Sequence, residues 1–188
     1  MKKQAAHFAL ALVATFVLTA CGLNSSQWNQ EVTIPSAQRA EYEARIQELT
    51  YRIANYEATE EGESIFPPIY YYVDLGRAYE GLGNYKGAMK AYQDGAKANT
   101  QSQALDHNIG RLYEKVGLYK KAIAQYQMIV EKYDAKGYLY DITWAYIRDE
   151  DLEGAKKNYD EWKKSSKRTD LQTEQALVKL KDRLDGKE

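Results

Sequence analysis

Two helical rhythms of apolar residues alternate between Tyr72 and Trp162, and the pair recurs. Tyr72, Leu75, Gly76 and Tyr79 are spaced three, one and three apart, which is one face of an α-helix. Ala88 and Tyr92, four apart, mark a second helix, and the turn GLGNY lies between the two. The series returns 34 residues on as Ile109, Gly110, Tyr113, Gly117, Tyr119, Ala122 and Tyr126. A worn third copy reads Leu139, Ile142, Thr143, Tyr146, Leu152, Ala155 and Tyr159. A fixed period of this length predicts a stack of helical hairpins. Gly83 and Gly117 fall where a first helix needs a C-terminal cap with positive φ. Gly76, Gly110, Ala88 and Ala122 are small positions at which two helix backbones can approach closely.

Amphipathic segments flank the repeats. In residues 36–58, Tyr42, Ile46, Leu49, Ile53 and Tyr56 alternate four and three apart and form one apolar stripe. Arg39, Glu43, Arg45 and Glu48 take the other faces. This N-terminal helix has two readings: a cap over the open end of the stack, or a coiled-coil partner helix that makes a homodimer. TEEGES ends it, and Pro67-Pro68 starts the repeats. After the third copy, SSKRTD is a loop, and Thr169 with Gln172 fits a capping box. Residues 169–188 then form a C-terminal capping helix marked by Leu171, Leu177, Leu180 and Leu184, with DGKE frayed at its end.

The hairpin pattern resembles the tetratricopeptide repeat (TPR) family. The matching positions are the large residue Tyr72, Leu75-Gly76, Tyr79, Ala88 and Tyr92. The second copy departs with Ile109 for Leu and Ile129 at a usually small position. The third has Thr143 for Gly and Asp149-Glu150 at the turn, and no copy ends in Pro. The resemblance implies an all-α fold, a right-handed TPR helical-hairpin solenoid. Its three repeats would be residues 69–102, 103–135 and, degenerate, 136–168.

The resemblance also implies a concave, peptide-binding groove lined by the first helix of each repeat. Its rows are Tyr70, Val73, Arg77 and Glu80, then Ala104, His107, Arg111 and Glu114, then Gly137, Tyr140, Trp144 and Ile147. Asp74, Asn108 and Asp141 border it. The candidate site is therefore Tyr70, Asp74, Arg77, His107, Asn108, Arg111, Tyr140 and Trp144, with arginines at one end and aromatics at the other. Glu80 and Glu114 read as a solvated helix face. Trp144 and Ile147 either line the groove or pack under the C-terminal helix. A clamp for C-terminal carboxylates is disfavoured, since only Asn108 fits it, while Val73, Gly137 and Asp141 stand at its basic positions.

The chain opens with Lys2 and Lys3 and an apolar run from Phe8 to Ala20 broken only by Thr15 and Thr19. The run is shorter than the roughly 18–20 residues of a membrane-spanning helix. Residues 1–20 therefore read as a signal peptide. Leu18-Thr19-Ala20-Cys21 resembles the lipobox of bacterial lipoproteins, which implies a covalent lipid on Cys21, the chain's single cysteine. Two or more acyl chains there would anchor stably. Gly22 after Cys21 implies the outer membrane, facing the periplasm, in a Gram-negative cell, and the outer face of the cell membrane in a Gram-positive one. Residues 21–35 have no period and read as the lipidated Cys and a flexible tether, along which Trp28 and Val32 either dock on the domain or enter the membrane interface.

Removing Lys2 and Lys3 leaves 24 basic and 27 acidic side chains with no basic stripe, which argues against nucleic acid. The 17 tyrosines fall mostly on packing positions. With His7 in the signal peptide, His107 is alone, so no histidine-based metal site, catalytic constellation or cofactor is expected beyond the lipid. The expected function is that of a membrane-anchored scaffold or adaptor, not an enzyme, binding a protein or peptide of the cell envelope. Its layout is similar to pilotin-type and outer-membrane-assembly TPR lipoproteins. The alternative is a structural homodimer through residues 36–58 with an empty groove.

Overall fold

The structure is a computed structural model that describes residues 25–56 and 67–187. The signal peptide, Cys21, Gly22 and the TEEGES break lie outside the described residues. Helices α1 (Ser25–Trp28) and α2 (Ser36–Ala54) precede three hairpins. These are α3 (Ile69–Gly81) with α4 (Tyr85–Ala98), α5 (Gln103–Lys115) with α6 (Tyr119–Tyr133), and α7 (Leu139–Arg148) with α8 (Leu152–Ser166). A 3-10 turn, Lys136–Tyr138, leads into α7, and α9 (Leu171–Leu184) closes the chain. Among the described residues there is no β-strand, only an isolated bridge between Asn29 and Asn84.

Each helix packs chiefly on its neighbours in sequence, so the core runs along the stack as a series of clusters. One joins the first two hairpins around Tyr72, Tyr92, Leu105, Ile109 and Leu112. The next joins the second and third around Ala122, Tyr126, Ile129, Leu139 and Ile142. The small positions have the packing role that the pattern assigns them. A Cβ at Gly76 would lie 2.1 Å from the Tyr92 ring, and one at Gly110 would lie 2.4 Å from the Tyr126 ring. Each tyrosine thus lies flat on a bare helix backbone and is fully buried. The third hairpin has Thr143 there instead; its hydroxyl donates to the Leu139 carbonyl at 2.7 Å.

Helix boundaries follow from caps. The side chains of Asn84, Ser102 and Asp151 accept hydrogen bonds from the amides of Gly87, Leu105 and Gly154 at 2.8, 3.3 and 2.8 Å. Such a cap contributes about 1 kcal/mol. Gly83 and Gly117 end the first helices with φ of 71° and 75°. In the third turn Glu150 takes the same conformation at 60°, where a non-glycine side chain is strained.

The apolar stripe of α2 is occupied within the chain. Leu49 is fully buried, and Ile46 and Ile53 pack with it against Leu75, Ala91, Tyr71 and Tyr79. The Tyr42 ring lies over Gly81. Helix α2 therefore caps the first hairpin, with the centre of its stripe turned to its own chain.

The segment expected to be a flexible tether is docked over its second half. The Gln30 amide donates to the Gly83 carbonyl at 3.0 Å, and the Arg39 guanidinium donates to the Val32 carbonyl at 3.3 Å. Trp28 packs on the first core cluster, edge-on to Tyr113 with ring centres 6.2 Å apart. Burial of the Trp28 indole and the backbone bond to Gly83 both favour this docking.

Helix α9 starts one residue later than the capping box of Thr169 and Gln172 implies. Its N-cap is Asp170, whose carboxylate accepts from the Thr173 amide at 2.8 Å and the Thr173 hydroxyl at 2.6 Å. Asp is as good a cap as Thr, and with Thr173 it satisfies two donors at once.

Candidate peptide-binding groove

The first helices α3, α5 and α7 place equivalent residues in rows across the stack. One row is Arg77, Arg111 and Trp144; the next is Val73, His107 and Tyr140; a third is Glu80, Glu114 and Ile147.

The glutamate row is not a solvated face. Glu80 and Glu114 are only 19% and 18% exposed. Glu80 accepts from the Tyr92 hydroxyl at 2.6 Å and from Lys115 at 3.0 Å. Glu114 accepts from the Tyr126 hydroxyl at 3.3 Å and from Arg148 at 2.9 Å. In each case the tyrosine comes from the second helix of the same hairpin and the cation from the first helix of the next. The rung therefore joins consecutive hairpins through a partly desolvated, hydrogen-bonded ion pair that fixes their relative geometry.

Burial holds the Glu114 carboxyl above the ordinary carboxylate range, with Arg148 opposing the shift and Asp141 adding to it. Burial also raises the Tyr92 and Tyr126 phenols, so both stay neutral donors. The third hairpin has Ile147 in place of glutamate, and Tyr159 turns to α9 instead. Its hydroxyl donates to the Asp170 carbonyl at 3.0 Å or Glu174 at 3.3 Å and accepts from the Asp170 amide at 2.7 Å. Ile147 is partly buried against the cluster of Ala155, Tyr159 and Leu177 that joins the third hairpin to α9, so it belongs to that packing and not to the groove.

Arg77 and Arg111 are exposed and make no ion pair among the described residues. Both favour the ionised form of the Tyr92 phenol, against the larger effect of its burial. Arg77 also lines a cleft of about 650 Å³ between α2 and α3, together with Tyr42, Arg45, Glu48 and Asp74. Arg45, which the stripe pattern puts on a solvated face, reaches across that cleft and donates to Asp74 at 3.1 Å and Glu48 at 2.8 Å. Asp74 is thereby neutralised by the cap helix. No local pattern marks Arg45, because its partner is 29 residues away.

Further along, His107 lies 3.9 Å from Asp141, a charged pair only when the imidazole is protonated, and stacks edge-on to Tyr138 at 5.1 Å. Tyr140 and Trp144 are half-buried with ring centres 6.4 Å apart, and Trp162 of α8 joins them 5.0 Å from Tyr140. Arg148 lies over the Trp144 ring at 5.7 Å. The Tyr140 hydroxyl donates to Asp170 at 3.1 Å. Together with the Thr173 bonds, this holds the Asp170 carboxyl below the usual range.

Two expected groove residues stand apart. Asn108 is 7% exposed and belongs to the packed wall. Tyr70, 56% exposed and edge-on to Tyr71 at 4.6 Å, sits at the first turn of α3, about two turns from Arg77 on the same face, at the far end of the groove. Trp162, to which the sequence reading gives no role, is the addition.

The groove thus carries two cations without ion-pair partners among the described residues at one end and three aromatic rings at the other, on a floor braced by partly buried ion pairs. It can bind an extended segment whose carboxylates meet the guanidiniums and whose apolar side chains meet the rings. No curated protein matches the chain. Residues 69–101, the first hairpin, match the family model of the tetratricopeptide repeat, and the two further hairpins repeat its rows in register, so the fold is an all-α solenoid of tetratricopeptide type.

Proposed function

We propose that the protein is a lipid-anchored adaptor of the cell envelope that holds a segment of a protein partner in its groove and does not catalyse a reaction. Tetratricopeptide repeats generally mediate protein–protein interaction. The row Arg77, Arg111 and Trp144 carries the reading, because its two cations are exposed and without ion-pair partners among the described residues. Every neighbouring cation on the groove floor is engaged: Arg45 by Asp74, Lys115 by Glu80, and Arg148 by Glu114. A fold that pairs its other groove cations leaves these two for a carboxylate from outside. Arg and Trp are also residue types enriched where binding energy concentrates.

The partner segment is acidic at one end and aromatic or aliphatic at the other. The lipobox at Cys21 supports anchoring of the mature chain to the outer membrane, or to the outer face of a single membrane. Roles in secretin or β-barrel assembly, or with murein enzymes, are the envelope settings that suit such a layout.

Selection of displayed peptides on the mature chain tests the groove. The account expects enrichment of Asp or Glu followed by apolar residues. It also expects at least a tenfold loss of binding in Arg77→Glu/Arg111→Glu at unchanged melting temperature. Peptides that bind the double variant as tightly as the wild type would reject the reading.

A further inference from the structure

We infer that the edge of the solenoid carrying the turns within the first two hairpins is its membrane-facing surface, with an anionic lipid headgroup layer as partner. The inference rests on the proposed lipid at Cys21 and goes beyond it, since an anchor alone sets no orientation.

Cys21 lies only four residue steps before Ser25, where the described chain begins. Even fully extended, that stretch reaches about 14 Å. The chain that follows is fixed to one edge of the stack. Trp28 lies against Tyr113, Asn29 bridges to Asn84, and the Gln30 amide donates to Gly83. Asn84 and Gly83 form the turn of the first hairpin, and Tyr113 lies one turn before that of the second. The opposite edge, at the Thr100–Gln101 connection, is a helix length away, about 20 Å. A lipid on Cys21 therefore reaches a bilayer beneath the turn edge and not beneath the other.

Charge agrees. Lys86, Lys120 and Lys121 are exposed at this edge and make no ion pair among the described residues, while Lys115 beside them is paired with Glu80. Lys115 and Lys121 lie over the rings of Tyr85 and Tyr113 at 5.1 and 5.9 Å. Basic side chains near a surface of anionic lipid are attracted to it. The third turn is acidic, with Asp149, Glu150, Asp151 and Glu153, so the contact centres on the first two hairpins, where the docked segment lies. With this edge down, the helices stand upright. The Glu80–Lys115 and Glu114–Arg148 rungs lie nearest the membrane, and the groove runs parallel to it.

The test uses the lipidated protein in vesicles of phosphatidylethanolamine and phosphatidylglycerol that carry a headgroup-linked quencher. A fluorophore is attached at Lys120→Cys on the turn edge, or at Gln101→Cys on the far edge. At least threefold stronger quenching is expected at the first site. Equal quenching, or stronger quenching at Gln101→Cys, would overturn the proposal. Trp28→Ala, which frees the docked segment without touching either labelled site, should reduce the contrast to less than half; a contrast left unchanged would show that the segment does not orient the domain and would overturn it. Flotation separates the underlying reading. Loss of vesicle flotation in Cys21→Ser supports the anchor, whereas retained flotation rejects the anchor and the orientation drawn from it.

Discussion

Glu114 couples the fold to pH more directly than any other groove residue. Its carboxyl is held above its ordinary value of 4.5, chiefly by burial. The folded state then binds this proton more tightly than the unfolded state. The resulting stability is fully present below pH 4.5 and is lost as pH rises through the folded value. The stability of wild type relative to Glu114→Gln should therefore fall between pH 4.5 and neutrality, measured by denaturant unfolding across that range. A flat difference would show that Arg148 offsets the burial completely. The small residues make a second prediction at this scale. Gly76→Ala places a methyl 2.1 Å from the Tyr92 ring. The overpacking should cost about 1–3 kcal/mol, seen as a lower melting temperature. Sequence alone revealed the small positions and the rings beside them, because both recur in register. It did not reveal that Glu80 and Glu114 are paired and mostly shielded from solvent, since a charged residue at a groove-facing position has the same spacing whether solvated or paired.

The terminal elements are where pattern and structure part. Both the stripe of α2 and the leucines of α9 were legible as amphipathic helices. A stripe, however, does not say whether its partner is the same chain or another. Leu49, fully buried against Leu75 and Ala91, shows that for α2 it is the same chain. Ile46→Lys/Ile53→Lys should accordingly destabilise the monomer by several kcal/mol without changing its mass in solution; light scattering together with thermal unfolding checks both halves. At the other end, α9 is fastened by Asp170, which receives bonds from Thr173 and Tyr140 and whose backbone is held by Tyr159. Asp170→Ala should cost about 1–2 kcal/mol for the lost cap. Hydrogen exchange should rise in α9 before it rises in α3–α6. The docking of Trp28 had no periodic signal at all. One indole on a distant tyrosine leaves no trace in a local pattern.

Across the whole molecule, a one-dimensional stack extends the rows Arg77–Arg111–Trp144 and Val73–His107–Tyr140 along the face of its first helices. The hairpin repeat and these rows followed from the period. Which row members remain available depended on contacts made across the stack. Asp74 is taken by Arg45, Asn108 is packed away, and Ile147 belongs to the packing that joins the third hairpin to α9. What remains open is a cationic end and an aromatic end. The most direct measurement is photo-crosslinking in the native envelope from Ala104, on the groove, and from Gln93, an exposed residue of the second-helix layer. The account predicts a partner captured from Ala104, not from Gln93, and lost from Ala104 in Arg77→Glu/Arg111→Glu. Capture that survives the double substitution, or that occurs from Gln93 alone, would contradict it.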